Sequence, residues 1–188
     1  MQVDIMEYGE CLVITGFRGI RFADAEACLK ENRVQIKPNS EMQVFDADLI
    51  ATDQHLYFAV INALQAFHGK TNLSKTIAME TMLYASAQRQ IKQAINCLGI
   101  KPQTTNMAVV ILSENPKETE EMLKSIKAGV GAMLDEKVLE MTEIKERRIR
   151  HTFQITDEEL ETLKGNASSS EIVVNLVIER VALLATQL

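Results

Sequence analysis

Glu80 is the sharpest candidate for chemistry in the chain, a carboxylate beside Met79 and Met82, with Lys75 upstream and Tyr84 downstream. A half-buried Glu can serve as a general acid. The simpler reading is structural, because Tyr84 has the i+4 spacing to reach Glu80 and Lys75 can offer a salt bridge. His55 and His68 stand too far apart for one helix to bring both to a metal ion. Either could stack on or hydrogen-bond a base, although a His near a helix C-terminus, as His68 is, more often answers the macrodipole. Gly129-Val130-Gly131 could cradle a phosphate, but the downstream pattern of a dinucleotide site or P-loop is missing. Cys11, Cys28 and Cys97 have no paired spacing. They read as reduced, buried thiols of a cytoplasmic protein rather than a disulfide or zinc framework. No Ser/His/Asp or Cys/His set stands out. The expectation is a binding protein, not an enzyme, with no metal and no cofactor.

Charge points to where binding would occur. The whole chain carries −6, which argues against a general nucleic-acid binder. Residues 54–101 differ, with Lys70, Lys75, Arg89, Lys92 and Lys101 against Glu80 alone. A basic middle between two acidic flanks could steer a polyanion to one place, or could simply be the wet side of a helical region.

The elements that position these residues centre on 75–101. Ser74 and Ser86 are expected to cap two successive helices. Ile91, Ala94, Ile95 and Leu98 recur at helical spacing and predict one buried stripe. Gly99 and Pro102 end the second helix. The polar string Ser86-Ala87-Gln88-Arg89-Gln90 would then sit at a helix start, where outward N–H groups suit an anion.

Around this stretch, residues 10–17 and 107–113 are apolar and β-branched and predict buried strands. Phe22–Leu29 reads as a short helix. Residues 33–37 and 42–46 read as a hairpin or two short strands. Asp53 should cap a helix over 54–68 with Leu56, Ala59, Val60, Ala63, Leu64 and Phe67 as its core stripe. Asn115-Pro116 starts another, with Gly129 and Gly131 in the loop after it. Residues 144–155 alternate through Ile149, Phe153 and Ile155 and predict a strand, basic through Arg147, Arg148, Arg150 and His151, as a guarded edge strand would be. Thr156 to Glu159 opens a helix ending at Gly165. Ser168 and Glu171 have capping-box spacing, and a helix of about five turns follows. Val173, Val174, Val177, Ile178, Val181 and Leu184 share its broad face. Ile172, Leu176 and Leu183 form a second, narrower strip. Two apolar faces mean either a helix between layers of its own protein or one face lent to a partner.

Lys75-Thr76, Met79-Glu80-Thr81-Met82-Leu83-Tyr84-Ala85-Ser86, Arg89-Gln90-Ile91, Ala94-Ile95 and Gly99-Ile100 together resemble the small kinase-binding subunit of the KEOPS (EKC) complex, the PRPK-binding protein family. The resemblance extends upstream to Asp53-Gln54-His55-Leu56 and covers most of the chain. Ala87 departs from it, standing where the family often has glycine, so the turn between the two helices is left open. The resemblance implies a non-catalytic subunit at the end of that assembly. Such a subunit binds and activates the small atypical kinase/ATPase and, through it, serves the threonylcarbamoyl transferase subunit. It also helps recruit tRNA by its 3′ single-stranded end for threonylcarbamoyl-adenosine modification. On this reading Lys75 and Arg89 contact phosphates or bases, Ser86 and Gln90 are neutral partners, and His68, Lys70 and Lys92 flank them. Ile172, Leu176 and Leu183 contact the kinase.

The expected fold is one α+β domain over residues 1–188, a small, mostly antiparallel sheet packed by about six or seven helices. No apolar run is long enough to span a membrane. Asp4, Glu7 and Glu10 are unlike a signal peptide. The expected location is the cytoplasm, and the nucleus too in a eukaryote. Two other functions compete: a free-standing RNA- or ligand-binding module, and a small hydrolase or transferase built on Glu80.

Overall fold

The run Glu10–Arg18 forms a nine-residue strand whose apolar residues are buried on both faces, as a continuous β-branched run requires. It lies in a computed structural model that describes residues 1–25, 27, 40–163, 165 and 167–186. The chain divides into two units, Met1–Ala47 with Gly99–Val138, and Asp48–Leu98 with Leu139–Leu188. The fold class is α+β, as the sequence predicts.

The first unit is built on an antiparallel sheet of β1 (Gln2–Ile5), β2 (Glu10–Arg18), β3 (Ser40–Asp46), β4 (Asn106–Ser113) and β5 (Met133–Leu134). The order is β1-β2-β4-β3, with β5 also paired to β2. The register sets Val13 opposite Ile111 and Val44 opposite Val109. That alignment places Val13, Phe17, Met42, Val44, Met107, Val109 and Ile111 in one core cluster. Ile126 and Val130 join it from the helix of residues 116–130, with Met122 and Leu123 packed at its margin. Asn115 caps that helix by accepting from the Lys117 N–H at 3.0 Å, and Pro116 sits at its first turn. Gly129 lies inside it, and only Gly131, at φ 62°, ends it. The second half of the Phe22–Leu29 helix and the strand expected over 33–37 lie outside the described residues, while 42–46 is strand as expected.

The second unit is helical. It contains α1 (Asp53–Gly69), α2 (Ile77–Ser86) and α3 (Ile91–Leu98). With α4 taken as the first unit's helix (Pro116–Val130), the others are α5 (Glu143–Phe153), α6 (Asp157–Thr162) and α7 (Ser169–Thr186). The α1 stripe is buried as expected at Leu56, Ala59, Val60, Ala63 and Leu64. Helix α7 packs on α1, α2, α5 and α6 at once. This accounts for its broad apolar face and for Ile172 and Leu176 of the second strip, which serve its own unit. Its start is the expected capping box, with Ser168 and Glu171 exchanging backbone and side-chain hydrogen bonds at 2.7 and 3.3 Å. Glu146 of α5 accepts from the hydroxyls of Ser169 and Ser170, both at 2.6 Å, and so ties α5 to that start.

Residues 144–155 correct the strand expectation. They are mostly α5, because Lys145, Ile149 and Phe153 recur at i+4 and all three are buried. Thr142 caps the helix by accepting from the Lys145 N–H at 3.3 Å. The aliphatic stem of Lys145 completes the stripe while its ammonium reaches the Glu140 carbonyl at 3.3 Å. Helix α6 ends at Thr162, before Gly165. Among the described residues no helix is long and apolar enough to cross a membrane.

Candidate nucleic-acid interface

The basic residues of 68–92 are carried by α1, α2, α3 and their connecting turns. His55 sets the geometry. Its ring is wholly buried, Nδ1 accepts from the Ala51 N–H at 3.2 Å, and Nε2 donates to the Ala85 carbonyl at 2.8 Å. That contact pins the first turn of α1 to the last turn of α2, so the two helices run antiparallel. The end of α1, with His68 and Lys70, therefore lies beside the start of α2, which follows Lys75. Arg89, Gln90 and Lys92 lie beyond the other end of α2. Ten residues of helix separate the two groups, about 15 Å at 1.5 Å per residue. The residues proposed from sequence thus form two basic ends rather than one cluster.

His68, Lys70, Lys75, Arg89, Gln90 and Lys92 are all exposed. Lys70, Lys75, Arg89 and Lys92 enter no ion pair among the described residues. Their positive charge is therefore open to an incoming anion. Ser86 is different. It is buried at the C-terminal end of α2, and its hydroxyl donates to the Met82 and Leu83 carbonyls at 2.8 and 3.1 Å. It neither starts a helix nor reaches the surface, so it drops out of the interface. Ser74 is no cap either: Thr76 caps α2 by accepting from the Met79 N–H at 3.2 Å. Asp53 is the first residue of α1, after Thr52.

The turn left open at Ala87 is a left-handed helix end, with Ala87 at φ 51° and the Gln88 N–H donating to the Leu83 carbonyl at 3.0 Å. This conformation suits glycine. Helix α3 then begins at Ile91, with the Gln90 carbonyl accepting from Ala94 at 2.9 Å. Only Ala94 and Leu98 of its expected stripe are buried, whereas Ile91 and Ile95 are each 43% exposed. An eight-residue helix resting on α2 covers only a narrow strip of itself. The result is an apolar pair, Ile91 and Ile95, alternating with Arg89 and Lys92. Helical periodicity alone predicts that pair in the core, and the structure places it at the surface.

Glu80 organises the loop that carries Lys75. Its carboxylate is 1% exposed and accepts from the Leu73 N–H at 3.1 Å and the Ser74 N–H at 2.7 Å. The expected structural role holds, with the backbone N–H groups of Leu73 and Ser74 as donors in place of Lys75 or Tyr84. Enclosed and engaged in this way, Glu80 is poorly placed for a general acid. Burial raises the Tyr84 hydroxyl pKa, and the Glu80 charge adds to it.

The strip proposed on α7 divides. Ile172 and Leu176 are each 4% exposed and belong to the buried interior, so they offer no open contact. Leu183 is 46% exposed. With Ala87, Gln154 and Arg180 it lines a cavity of about 250 Å³. Arg180 there donates to both Glu159 oxygens at 2.9 and 3.1 Å.

Residues 19–185 match the family described as Kinase binding protein CGI-121. Over 173 residues the chain is 31% identical to Regulatory protein Cgi121 of Methanocaldococcus jannaschii, an alignment covering 92% of this chain and 97% of that protein.

Proposed function

The chain belongs to the kinase-binding CGI-121 family, and from that premise we propose that it is a non-catalytic KEOPS subunit. It binds and activates the complex's small atypical kinase/ATPase in the cytoplasm. It also helps recruit tRNA by its 3′ single-stranded end for threonylcarbamoyl-adenosine modification. The family match over nearly the whole chain is the observation that carries the kinase partner. The tRNA part rests on the open cations. Arg89 and Lys92 stand beside exposed Ile91 and Ile95, a pairing of charge and apolar surface that suits the phosphates and faces of unpaired nucleotides. Gln90 supplies a neutral hydrogen-bonding group. Lys75, Lys70 and His68 at the far end of α2 offer a second point of attachment for the same strand.

On α7, the contact to the kinase reduces to the Leu183 end, where an exposed leucine rims a cavity. The experiment is size-exclusion chromatography of the protein mixed with its cognate kinase, with and without tRNA. Co-elution with the kinase alone, and a ternary peak with tRNA, is the expected result. Separate elution of protein and kinase would overturn the reading.

A further inference from the structure

Arg147, Arg150, His151 and Gln154 follow one another at i, i+3, i+4 and i+7, so they share one face at the end of α5. With Ile155 and Thr156 they line an open cavity of about 580 Å³. Arg147 and His151 are exposed. Arg147 has no hydrogen-bond or ionic partner among the described residues. Arg150 donates from Nη2 to Asp157, but its Nε–H is enclosed and has no acceptor. Enclosed donors without a partner are rare in native proteins, because leaving them unpaired is costly. The negative end of α5 is muted here, since the Arg150 and His151 carbonyls accept from the Ile155 and Gln154 N–H groups at 2.9 and 3.3 Å. Asp157 is the carboxylate already paired at this face, and it stands mostly in water.

We propose that this cavity binds a phosphate group, presented either as free phosphate or as a phosphodiester of a single strand. A guanidinium fork matches the geometry of phosphate oxygens. Two guanidinium groups and an imidazole converge here from a single turn of helix. Arg147 and His151, exposed at the cavity, would donate to phosphate oxygens, with the Arg150 guanidinium behind them adding its charge. The site is built on α5 rather than on α1 to α3, and its Gln154 also lines the neighbouring cavity beside Ala87.

The test follows the arginine Nε–Hε signals of the ¹⁵N-labelled full chain by NMR. One titration adds inorganic phosphate, a control adds chloride at matched ionic strength, and a third adds a short single-stranded oligonucleotide without a terminal phosphate. The Arg150 signal should shift saturably, and Arg147→Ala should weaken saturation about tenfold, the loss of one charge-assisted hydrogen bond. His151→Ala, a second exposed change, should weaken it in the same direction. Tighter saturation by phosphate assigns the source as free phosphate, and tighter saturation by the oligonucleotide assigns it as phosphodiester. A shift reproduced by chloride, no shift with either titrant, or saturation unchanged in both variants would overturn the proposal.

Discussion

His55 Nε2 lies 2.8 Å from the Ala85 carbonyl oxygen, and this single contact fixes which ends of α1 and α2 are neighbours. Burial lowers the His55 pKa from 6.5 to about 4, the Ala85 carbonyl pulling it up and the positive charge of Lys145 adding to the lowering. The ring edge of His55 also meets Phe153 of α5, at 5.6 Å between centroids.

A pH dependence follows. Between pH 6.5 and about 4 the unfolded chain binds a proton at His55 that the folded chain does not. The stability tied to the neutral ring is therefore complete above pH 6.5 and drains as pH falls toward 4, by about 3 kcal/mol in all. NMR of the His55 ring carbons should show the neutral form persisting down to pH 5. A midpoint near 6.5 in the folded protein would contradict the buried clamp.

Ala87 holds φ 51°, which costs a residue with a Cβ about 1 kcal/mol relative to glycine. Ala87→Gly should relieve that strain while gaining some unfolded-state entropy, for a net stabilisation of about 0.5 kcal/mol and a rise in Tm of a few degrees. Thermal denaturation by circular dichroism checks it. A lower Tm would mean the turn is not under the strain that its geometry implies.

Leu176 and Leu183, two turns apart on α7, should behave oppositely. Leu176→Ala empties a buried site and should cost about 2–5 kcal/mol in urea unfolding. Leu183→Arg changes an exposed position and should leave stability within about 0.5 kcal/mol. Calorimetry with the cognate kinase should show Leu183→Arg losing at least about tenfold in affinity. Unchanged affinity would remove this end of α7 from the kinase contact.

The strands β2 and β4 and the helices α1 and α7 were legible because their apolar patterning is strong. Helix α7 also starts at the capping box read from Ser168 and Glu171, whereas the cap of α1 lies at Thr52 rather than Asp53. Helix α5 was not legible. Ile149, Phe153 and Ile155 fit an alternating pattern as readily as a helical one, and the residue that decides between them is Lys145, whose buried stem a hydropathy reading counts as polar. Thr142, followed by Glu143 and Glu146, was the available helix-start signal. At the candidate interface, the cations could be read directly from composition. Their division between two ends of α2 could not, since it depends on the His55 contact across the helix pair. The exposure of Ile91 and Ile95 was hidden for the same reason: periodicity gives a face, and only the neighbour's reach decides how much of it is covered.

The most direct test of the account compares the affinity of the protein for intact tRNA and for tRNA trimmed of its 3′ terminal nucleotides. Each is measured with the wild type and with an Arg89→Ala, Lys75→Ala double variant. Binding should be modest and salt-sensitive, with a slope of about −0.7 per phosphate contacted on a single strand. Wild type on intact tRNA should bind tightest, and either trimming the RNA or removing the two cations should weaken it. Equal affinity in all four combinations would contradict recruitment of the tRNA 3′ end by this surface.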